Sequence, residues 1–569
     1  MFLRKILVAS FISAALLAQA QTKAPKNWFH LDPTADKFNG MSTDKLYQTL
    51  LKDKKSKTIV VAVLDSGVDA EHEDLKDIMW TNPGEIPGNG IDDDKNGYVD
   101  DVHGWNFIGG KTGNIHHESL ELTRLYASLK KKYDGKTEAN SGNKKEFRKY
   151  MEYKQIVENK GKEAKDNLER YQKIKADMLD GVAKMNTLLA GKAINAENVK
   201  ALPDDDKSVA MAKKMTLSML AEGESIQSAD GLKSDIIEQL SSPIEHFEAQ
   251  VLYQYNPDFN DRAKIVGDNP DNSYERYYGN NDVEGPDASH GTHVAGIIAA
   301  VRNNGIGMNG VADNVRIMSV RCVPDGDERD KDVANAIIYA VDNGASILNM
   351  SFGKSYSWDK EAVDKAVKYA ADHDVLIVHA AGNDANNNDK GGNFPSKTFE
   401  KKGGLFKPSK AANWLEIGAL SYKGGEDMPA TFSNYGKKMI DVFSPGVEIY
   451  STVPNNEYAS FQGTSMASPA CAGVAAILRS YYPELSAAQV REIIRGSAVK
   501  SDQMVKLPGT ARRKEGPQMI KFSDLSNTGG FVSSCEAAKI AASTKGKGKS
   551  DTNWRKAADK LTSMSKPKP

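Results

Sequence analysis

The sequence predicts an α/β fold, in which a parallel β-sheet is covered by helices on both faces and interrupted by an all-α helical insertion. Three observations predict it. Short, wholly apolar runs recur along the 569 residues, amphipathic helical stretches lie between these runs, and one long block has the helical period with almost no strand signal. Strands buried on both faces, alternating with helices, are typical of parallel sheets.

The first apolar run, KTIVVAVLDSGVD at 57–69, has β-branched residues between lysines and a glycine, which predicts a buried strand. Four later runs have the same character: 315–320, 345–353, 375–383 and 414–420. Two intervening stretches place apolar residues at i, i+3, i+4 and i+7 and predict helices: 331–344 and 361–374. In such sheets functional side chains gather at the carboxyl ends of the strands.

Residues 118–258 break this pattern and form the predicted insertion. Apolar side chains recur there at helical spacing among lysines and glutamates, which predicts amphipathic helices packed as hairpins. One interpretation is a surface decoration whose charged face is solvated. The other is a lid or a docking arm.

The two ends of the chain differ from the middle. Arg4 and Lys5 precede an apolar run that ends at Ala18-Gln19-Ala20, which predicts a secretory signal peptide over 1–20 and an N-terminal segment over 21–57. No later segment is apolar for long enough to cross a bilayer. Residues 501–569 are interpreted as a C-terminal extension with a basic tail, disordered at 543–550. The protein is therefore predicted to be exported, either secreted or periplasmic.

Composition excludes several classes of function. The net charge is -1, so no overall positive field favours nucleic acid or an anionic membrane. Cys322, Cys471 and Cys535 are the three cysteines, too few for a disulfide framework and without a C-x-x-C zinc pair. Cys471 is predicted to be a small buried hydrophobe. Whether Cys322 and Cys535 pair stays open at this point.

Four motifs at predicted strand and helix ends carry the chemistry. Asp65 stands in LDSGVD, His290 in SHGTHVAG, Asn383 in HAAGNDAN and Ser465 in FQGTSMASP. A serine becomes a nucleophile when an imidazole accepts its proton, and that imidazole needs a carboxylate to fix its tautomer. Ser465 begins a helical run whose free N–H groups, with the Asn383 amide, favour a developing oxyanion. Singly, such residues are usually caps and turn formers; together they predict acyl transfer.

The pair His290 and His293 allows a second interpretation, a zinc site. The H-E-x-x-H helix of zinc peptidases has a glutamate between its histidines, and this sequence has none there. His293 is therefore predicted to pack against the core, and His290 alone to act as a base.

The stretch GIDDDKNGYVDDVHG, 90–104, predicts a calcium loop. Alternate oxygen-bearing residues around a glycine can surround a hard cation, and here they are Asp92, Asp94, Asn96 and Asp100. The twelfth position is His103 and not a bidentate glutamate, so the loop is not a complete EF-hand. The alternative is a solvated acidic turn.

Together, VAVLDSGVD, HGTHVAG, AAGN and GTSMASP resemble the subtilisin-like serine peptidases, the subtilases, in the order Asp, His, Ser along the chain. The resemblance covers roughly 58–110 and 260–500, and it implies a subtilisin-like peptidase domain over 58–117 and 259–500. It implies Asp65, His290 and Ser465 as the catalytic triad and Asn383 as the oxyanion donor.

The resemblance also implies sites for substrate and metal. Ser351, Gly353 and Gly382 are implied as substrate-binding, with 351–353 pairing with substrate backbone. Asp74 and Asn304 are implied as ligands of a second structural calcium, although the loop at 301–312 has one extra residue.

Two departures from the family pattern stand out. Asp65 and His290 are 225 positions apart because the helical block lies between them. The segment 21–57 is also too short for the usual folding-assisting propeptide, so we hypothesise that the insertion takes part of that role. Deleting 118–258 tests this hypothesis, and normal folding with unchanged activity would refute it.

The sequence therefore predicts an exported serine endopeptidase that hydrolyses proteins or peptides. The alternative is a calcium-stabilised binding or adhesion module on an inactive peptidase scaffold. Substrate preference and oligomeric state do not follow from the sequence.

Overall fold

A computed structural model of the chain describes residues 24–223, 225–400 and 409–564. The predicted signal peptide, 1–20, lies outside the described residues. The chain divides into two compact units, Met1–His116 with Asp261–Pro569 (the sheet unit) and His117–Asn260 (the helical unit). The predicted insertion, 118–258, differs from the helical unit by one residue at its start and two at its end.

The strands belong to the sheet unit. In chain order they are β1 (Ile59–Asp65), β2 (Gly104–Asn106), β3 (Gly109–Gly110), β4 (Gly113–Asn114), β5 (Val315–Arg321), β6 (Ile347–Met350), β7 (Leu376–Ala380), β8 (Trp414–Leu420), β9 (Val442–Pro445), β10 (Ile449–Val453), β11 (Glu457–Phe461), β12 (Val499–Lys500), β13 (Met504–Lys506), β14 (Met519–Lys521) and β15 (Gly530–Phe531).

The main sheet has nine strands in the order β12-β15-β9-β8-β7-β6-β1-β5-β2. All neighbours are parallel except β12 and β15. Every residue of β1, β7 and β8 is buried, as the apolar runs predict. The predicted parallel α/β sheet is thus confirmed. Its shortest strands, such as β2, β9 and β15, were not predicted because two to four residues give no measurable period.

The helices in chain order are α1 (Thr43–Gln48), α2 (Glu121–Tyr133), α3 (Lys144–Leu189), α4 (Ala196–Lys200), α5 (Lys207–Ala221), α6 (Ala229–Ala249), α7 (Arg262–Ile265), α8 (Ser289–Ala299), α9 (Asp330–Asp342), α10 (Lys360–Asp372), α11 (Thr464–Tyr481), α12 (Ala487–Gly496), α13 (Ser534–Ser543) and α14 (Asn553–Met564). Helix α11 packs against strands β6, β7, β8 and β9. All residues of α11 from Met466 to Ser480 are buried, which agrees with its mostly small and apolar sequence.

The helical unit comprises α2–α6, and a π-helical turn, Gln250–Gln254, continues α6. Helix α3 contacts both α5 and α6. A Cβ atom on Gly181 would lie 2.1 Å from the Ser208 carbonyl oxygen, so this glycine allows α3 and α5 to approach closely. The helical unit has its own apolar cluster, which includes Val182, Met185, Ala212 and Leu232.

The N-terminal segment is part of the sheet unit's core. Trp28 is fully buried, and its indole N–H donates to the carbonyl oxygens of Val447 and Glu448, both at 3.1 Å. Met41 and Leu46 are also fully buried in the main cluster. The described part of 21–57 is therefore integrated into the fold.

We expect the Trp28→Ala substitution to lower the free energy of unfolding by about 3–5 kcal/mol, because it leaves a large cavity and two carbonyl groups without their donor. Urea denaturation followed by circular dichroism measures this change. Trp358→Ala is the matched control, since Trp358 is 44% exposed. Equal midpoints for the two variants would contradict the expectation.

The C-terminal residues differ from the sequence interpretation. The predicted boundary at residue 500 falls inside the fold, because β15 joins the main sheet beyond it. The segment predicted to be disordered, 543–550, is ordered against the sheet unit: the Gly548 N–H donates to the Glu484 carbonyl at 2.9 Å. Trp554 of α14 is buried, and Arg555 forms an ion pair with Asp374 at 2.8 Å. Tertiary contacts outweigh the polar composition here.

The three cysteines are buried free thiols. Cys471 is fully buried in α11, as predicted. Among the described helices, none is both long and apolar enough to span a membrane.

Candidate active site

The predicted catalytic residues come from strand ends at one edge of the sheet and from two helix starts. Asp65 is the last residue of β1, and Asn383 follows β7. His290 is the second residue of α8 and Ser465 the second residue of α11. Because β1, β6 and β7 are parallel neighbours, their carboxyl ends lie side by side.

His290 and Asp65 form the central pair. The Nδ1 atom of His290 lies 2.7 Å from Oδ1 of Asp65, whose side chain is 2% exposed, while that of His290 is 38% exposed. Gly291 permits this approach, since a Cβ atom there would lie 2.0 Å from the Gly67 carbonyl oxygen. The imidazole is therefore oriented by a buried carboxylate and open on its other side.

The electrostatics of the pair favour a protonated imidazole. Burial alone would lower the pKa of His290, but the charge of Asp65 and the hydrogen bond to it outweigh burial, with a smaller contribution from Asp287. The net result is a pKa of His290 above its ordinary value of 6.5. A base with this property stabilises the imidazolium that proton transfer creates.

Ser465 is held against the end of β6. Its hydroxyl donates to the Ser351 carbonyl oxygen at 3.0 Å, and the Ser351 hydroxyl donates to the Ser465 carbonyl oxygen at 2.8 Å. Asn349 extends this chain by donating to the Ser351 hydroxyl and accepting from Ser468, both at 2.9 Å. The Ser465 hydroxyl thus donates to Ser351 and not to His290, so a rotation about its Cα–Cβ bond is needed to pass its proton to His290.

Asn383 is oriented by a residue that the sequence interpretation missed, Thr464. The Asn383 side-chain oxygen accepts from the Thr464 N–H at 2.8 Å and from its hydroxyl at 3.0 Å. The Thr464 hydroxyl in turn accepts the Gly382 N–H at 3.1 Å. The Asn383 amide N–H groups are thus turned away from Thr464, with Nδ2 3.5 Å from the Cβ position of Gly463. The sequence did offer a signal for Thr464, because it is the threonine directly before Ser465 in the GTS motif.

The three predicted substrate-binding residues lie at the ends of β6 and β7. Ser351 and Gly353 follow β6, and Gly382 follows β7. Gly382 has φ +100°, a conformation that favours glycine. The structure therefore brings Ser351 into contact with Ser465 and Gly382 next to Asn383, and Gly353 lies two residues beyond Ser351.

His293 is separate from this site. It is fully buried, its ring stacks on Phe461 with centroids 4.3 Å apart, and Nε2 lies 3.1 Å from the Ala459 carbonyl oxygen. Burial lowers the pKa of His293 to about 3, so the ring is neutral. No group of metal-ligating side chains in the described part of the chain includes His290 or His293. The geometry does not favour the zinc interpretation.

The subtilase family model matches residues 56–523, more than half of the chain. The chain belongs to the subtilase family. Similar curated proteins include the thermophilic serine proteinase of Bacillus sp. strain AK1, 40% identical over 40% of this chain and 49% of that protein. Subtilisin DY of Bacillus licheniformis is 37% identical over 41% of this chain and 77% of that protein. Thermitase of Thermoactinomyces vulgaris is 37% identical over 37% and 67%.

This subtilase spans about half the length of the strain AK1 proteinase, and about half that of another relative, the alkaline elastase YaB of Bacillus sp. strain YaB. Among solved structures, proteases from Pseudoalteromonas arctica are 28% identical, with a TM-score of 0.35 over 46% of this chain and 74% of that chain.

The acidic loop of the subtilase gathers a different set of ligands from the predicted one. Carboxylate oxygens of Asp92, Asp94 and Glu85 lie within 4.8 Å of one another, and this is the group of side chains in the described residues that could hold a metal. Glu85 precedes the loop, so the alternate spacing of oxygen-bearing residues within the loop did not predict it as a ligand. Asp100 lies outside this group, and Asn96 contacts it through its amide nitrogen, which donates to Asp94 at 3.2 Å, and not through its oxygen.

The two remaining predicted ligands, Asp100 and Asn96, accept hydrogen bonds from backbone N–H groups. The Asp100 carboxylate accepts from Gly88 at 2.9 Å and from Gly90 at 2.7 Å. The Asn96 side-chain oxygen accepts the Tyr98 N–H at 2.8 Å. Both side chains therefore stabilise the loop itself in this arrangement.

Asp74 and Asn304 lie together but do not present two oxygens to one point. The Asn304 amide nitrogen donates to Asp74 Oδ1 at 2.7 Å, and the Met308 N–H donates to Oδ2 at 3.3 Å. Burial raises the pKa of Asp74, despite these hydrogen bonds. A calcium ion here would require the Asn304 amide to turn its oxygen inward.

Proposed function

We propose that the protein is an exported serine endopeptidase, with Ser465 as nucleophile, His290 as general base and Asp65 as the group that orients His290. The observation that carries the proposal is the 2.7 Å contact between His290 Nδ1 and the buried Asp65 carboxylate, in an imidazole that remains 38% exposed. Acyl transfer requires an oriented and accessible imidazole to serve as base, and a serine at a helix start to serve as nucleophile.

The proposed reaction has two balanced halves. The Ser465 oxygen bonds to the scissile carbonyl carbon while His290 takes the hydroxyl proton, and the C–N bond then breaks as His290 returns that proton to the leaving amine. Water adds to the acyl-enzyme in the same way, giving its proton to His290, which passes it to the departing Ser465 oxygen. Asp65 stays ionised throughout and stabilises the imidazolium.

Labelling with a fluorophosphonate probe tests the proposal. We expect a stable adduct on Ser465 in the mature wild-type protein and no adduct in Ser465→Ala. The alternative function, a calcium-stabilised binding module on an inactive scaffold, predicts that neither protein is labelled. A hydrolytic activity lost to chelation and restored by zinc in the presence of calcium would instead favour a metal mechanism.

Asn383 is proposed to donate to the oxyanion, with the Ser465 backbone N–H as second donor. We expect Asn383→Ala to lower kcat by about 10²–10³-fold, with little change in KM, because the lost hydrogen bond strengthens only as the oxyanion develops. Steady-state kinetics on a peptide substrate measure the effect. Asn386→Ala is the control, since Asn386 is exposed in the same loop. A purely raised KM would contradict the assignment.

Export and substrate class are part of the same proposal. The apolar N-terminal run with its small-residue end supports a signal peptide over 1–20, and peptide-bond chemistry implies protein or peptide substrates. Edge pairing with residues 351–353 is the proposed mode of substrate binding.

Structural calcium is proposed at Glu85, Asp92 and Asp94, because their carboxylate oxygens lie within 4.8 Å of one another and a hard cation among them would balance a charge that neighbouring N–H donors now offset in part. When bound, the ion would neutralise this charge and stiffen the loop.

At free calcium about a hundredfold above the dissociation constant, we expect a stabilisation of about 2.7 kcal/mol, seen as a rise in Tm. Differential scanning fluorimetry after chelation and calcium addition measures this rise. Asp92→Asn is expected to reduce it, and Asp166→Asn, an exposed control in α3, is expected to keep it. The same Tm with and without calcium would contradict the calcium site and favour the alternative, a solvated acidic turn.

A further inference from the structure

The backbone after the proposed substrate edge, 351–353, is fixed at Lys354. The Lys354 N–H donates to the Phe394 carbonyl oxygen at 2.8 Å, and the Phe394 N–H donates to the Lys354 carbonyl oxygen at 2.9 Å. The two residues thus form an antiparallel bridge directly beyond Gly353. Because both backbone groups of Lys354 are bonded within the chain, the edge proposed for substrate ends here.

The Lys354 side chain is an ammonium group that is shielded from water. It is 1% exposed, and its Nζ atom lies 2.8 Å from Asp330 Oδ1 and donates to the Glu328 carbonyl oxygen at 2.6 Å. A buried cation requires a counter-charge and further acceptors, and both come here from 328–330. Lys354 therefore ties the end of the edge to Asp330, the first residue of α9.

Asp330 holds the same segment at two further points. Its Oδ2 atom accepts from the Ser357 hydroxyl and from the Asp359 N–H, both at 2.7 Å, and its side chain is 5% exposed. Hydrogen bonds to an ionised group are about twice as strong as neutral ones. One buried carboxylate thus binds the chain at 354, 357 and 359, along the connection from β6 to α10.

The start of α9 is in turn held by buried ion pairs. Lys331 pairs with Asp268, and Asp332 accepts from both terminal nitrogens of Arg262, at 2.8 and 2.7 Å. The side chains of these four residues are at most 2% exposed. Because the two residues that follow Asp330 are buried and paired, Asp330 is a fixed anchor for Lys354.

We propose, on the basis of the peptidase function proposed above, that Lys354 is a positioning residue that keeps 351–353 in register for a substrate strand. Pairing along an edge needs N–H and C=O groups at a spacing of about 3.3 Å per residue. Hydrogen bonds between Ser351 and Ser465 hold the inner end of 351–353, and Lys354 holds the outer end. Lys354 acts through this backbone and not on the reacting atoms.

Substrates of different length test the proposal on the mature full-length protein. Lys354→Met keeps most of the length of the side chain and removes its charge. For a peptide with four residues on the acyl side, we expect KM to rise by about 10–100-fold, the size of two neutral hydrogen bonds, with little change in kcat. Hydrolysis of p-nitrophenyl acetate, whose acyl group is too short to pair with 351–353, should stay near wild type.

Lys397→Met is the matched control, because Lys397 forms a comparably buried pair with Asp441 at 2.7 Å. This variant should lose stability but keep the wild-type ratio of peptide to ester hydrolysis. A purely structural role of Lys354 predicts that same ratio in Lys354→Met, because a smaller folded fraction lowers both rates equally. An unchanged ratio, or an unchanged peptide KM, in Lys354→Met therefore overturns the inference.

Asp330→Asn decides the matter if Lys354→Met does not fold. Asparagine keeps an acceptor for Lys354 but not the charge, so the peptide KM should rise by less than in Lys354→Met while ester hydrolysis stays near wild type. An unchanged peptide KM in Asp330→Asn then overturns the inference. Fluorophosphonate labelling of Ser465 would still leave the peptidase proposal standing, whereas neither labelling nor hydrolysis of any substrate by the wild type overturns both.

Discussion

Ser465→Ala is expected to lower kcat by about 10⁶-fold. Alanine removes the only atom that forms the acyl bond, and nothing else at the start of α11 offers a nucleophile in the same place. Substrate binding relies on other groups, so KM should change little. The Ser465 backbone N–H also remains, which preserves part of the oxyanion stabilisation.

Rates on a chromogenic peptide, with active-site titration to quantify contaminating wild type, measure this loss. Ser460→Ala is the matched control, because Ser460 is an exposed serine on β11. The control should retain wild-type rates. Residual activity of Ser465→Ala within tenfold of wild type would refute the assignment of the nucleophile.

Asp65→Asn is expected to lower kcat by about 10⁴-fold near neutral pH. An asparagine can present its N–H groups to His290 Nδ1, which stabilises the wrong tautomer and removes the charge that supports the imidazolium. The buried position of Asp65, 2% exposed, means that water cannot substitute for the lost carboxylate.

The pH profile gives an independent measure of the same contact. The base must be neutral to accept a proton, so wild-type kcat/KM rises with pH through the pKa of His290, which the structure holds above 6.5. Without the Asp65 charge that pKa falls, so the acid limb of Asp65→Asn should move to lower pH. A limb that stays in place or moves upward would contradict the role of Asp65.

Asp287→Asn is the matched control for this shift. Asp287 also raises the pKa of His290, but it contributes less than the charge of Asp65 and less than the hydrogen bond to Asp65. It is exposed and its Oδ1 accepts the Ser289 N–H at 2.9 Å, a bond that asparagine can keep. We therefore expect a smaller downward shift and a wild-type plateau rate.

Local sequence was sufficient for those features that depend on near neighbours along the chain. The apolar runs at β1, β7 and β8 are buried on both faces, so composition alone identifies them. Asp65 and Asn383 could be placed together because parallel strands end at one edge of a sheet. The insertion could be told apart from the sheet-forming parts of the chain, because its apolar residues recur with a helical period and those of the strands do not.

Other features required the tertiary structure. Glu85 joins Asp92 and Asp94 from outside the acidic loop, while Asp100 turns to backbone N–H groups, and no spacing rule gives either result. The C-terminal residues pack because Trp554 finds a buried site, although their polar composition suggested disorder.

The sequence by itself determined the sheet, the family resemblance and the identity of the residues proposed for catalysis, because buried strands and short motifs are encoded within a few consecutive residues. Only the tertiary structure decided how those residues are oriented and what surrounds them. Thr464 orients Asn383, and Ser351 holds Ser465, through hydrogen bonds between segments distant in sequence. Hydrogen bonds depend on distances and angles that a one-dimensional pattern does not contain.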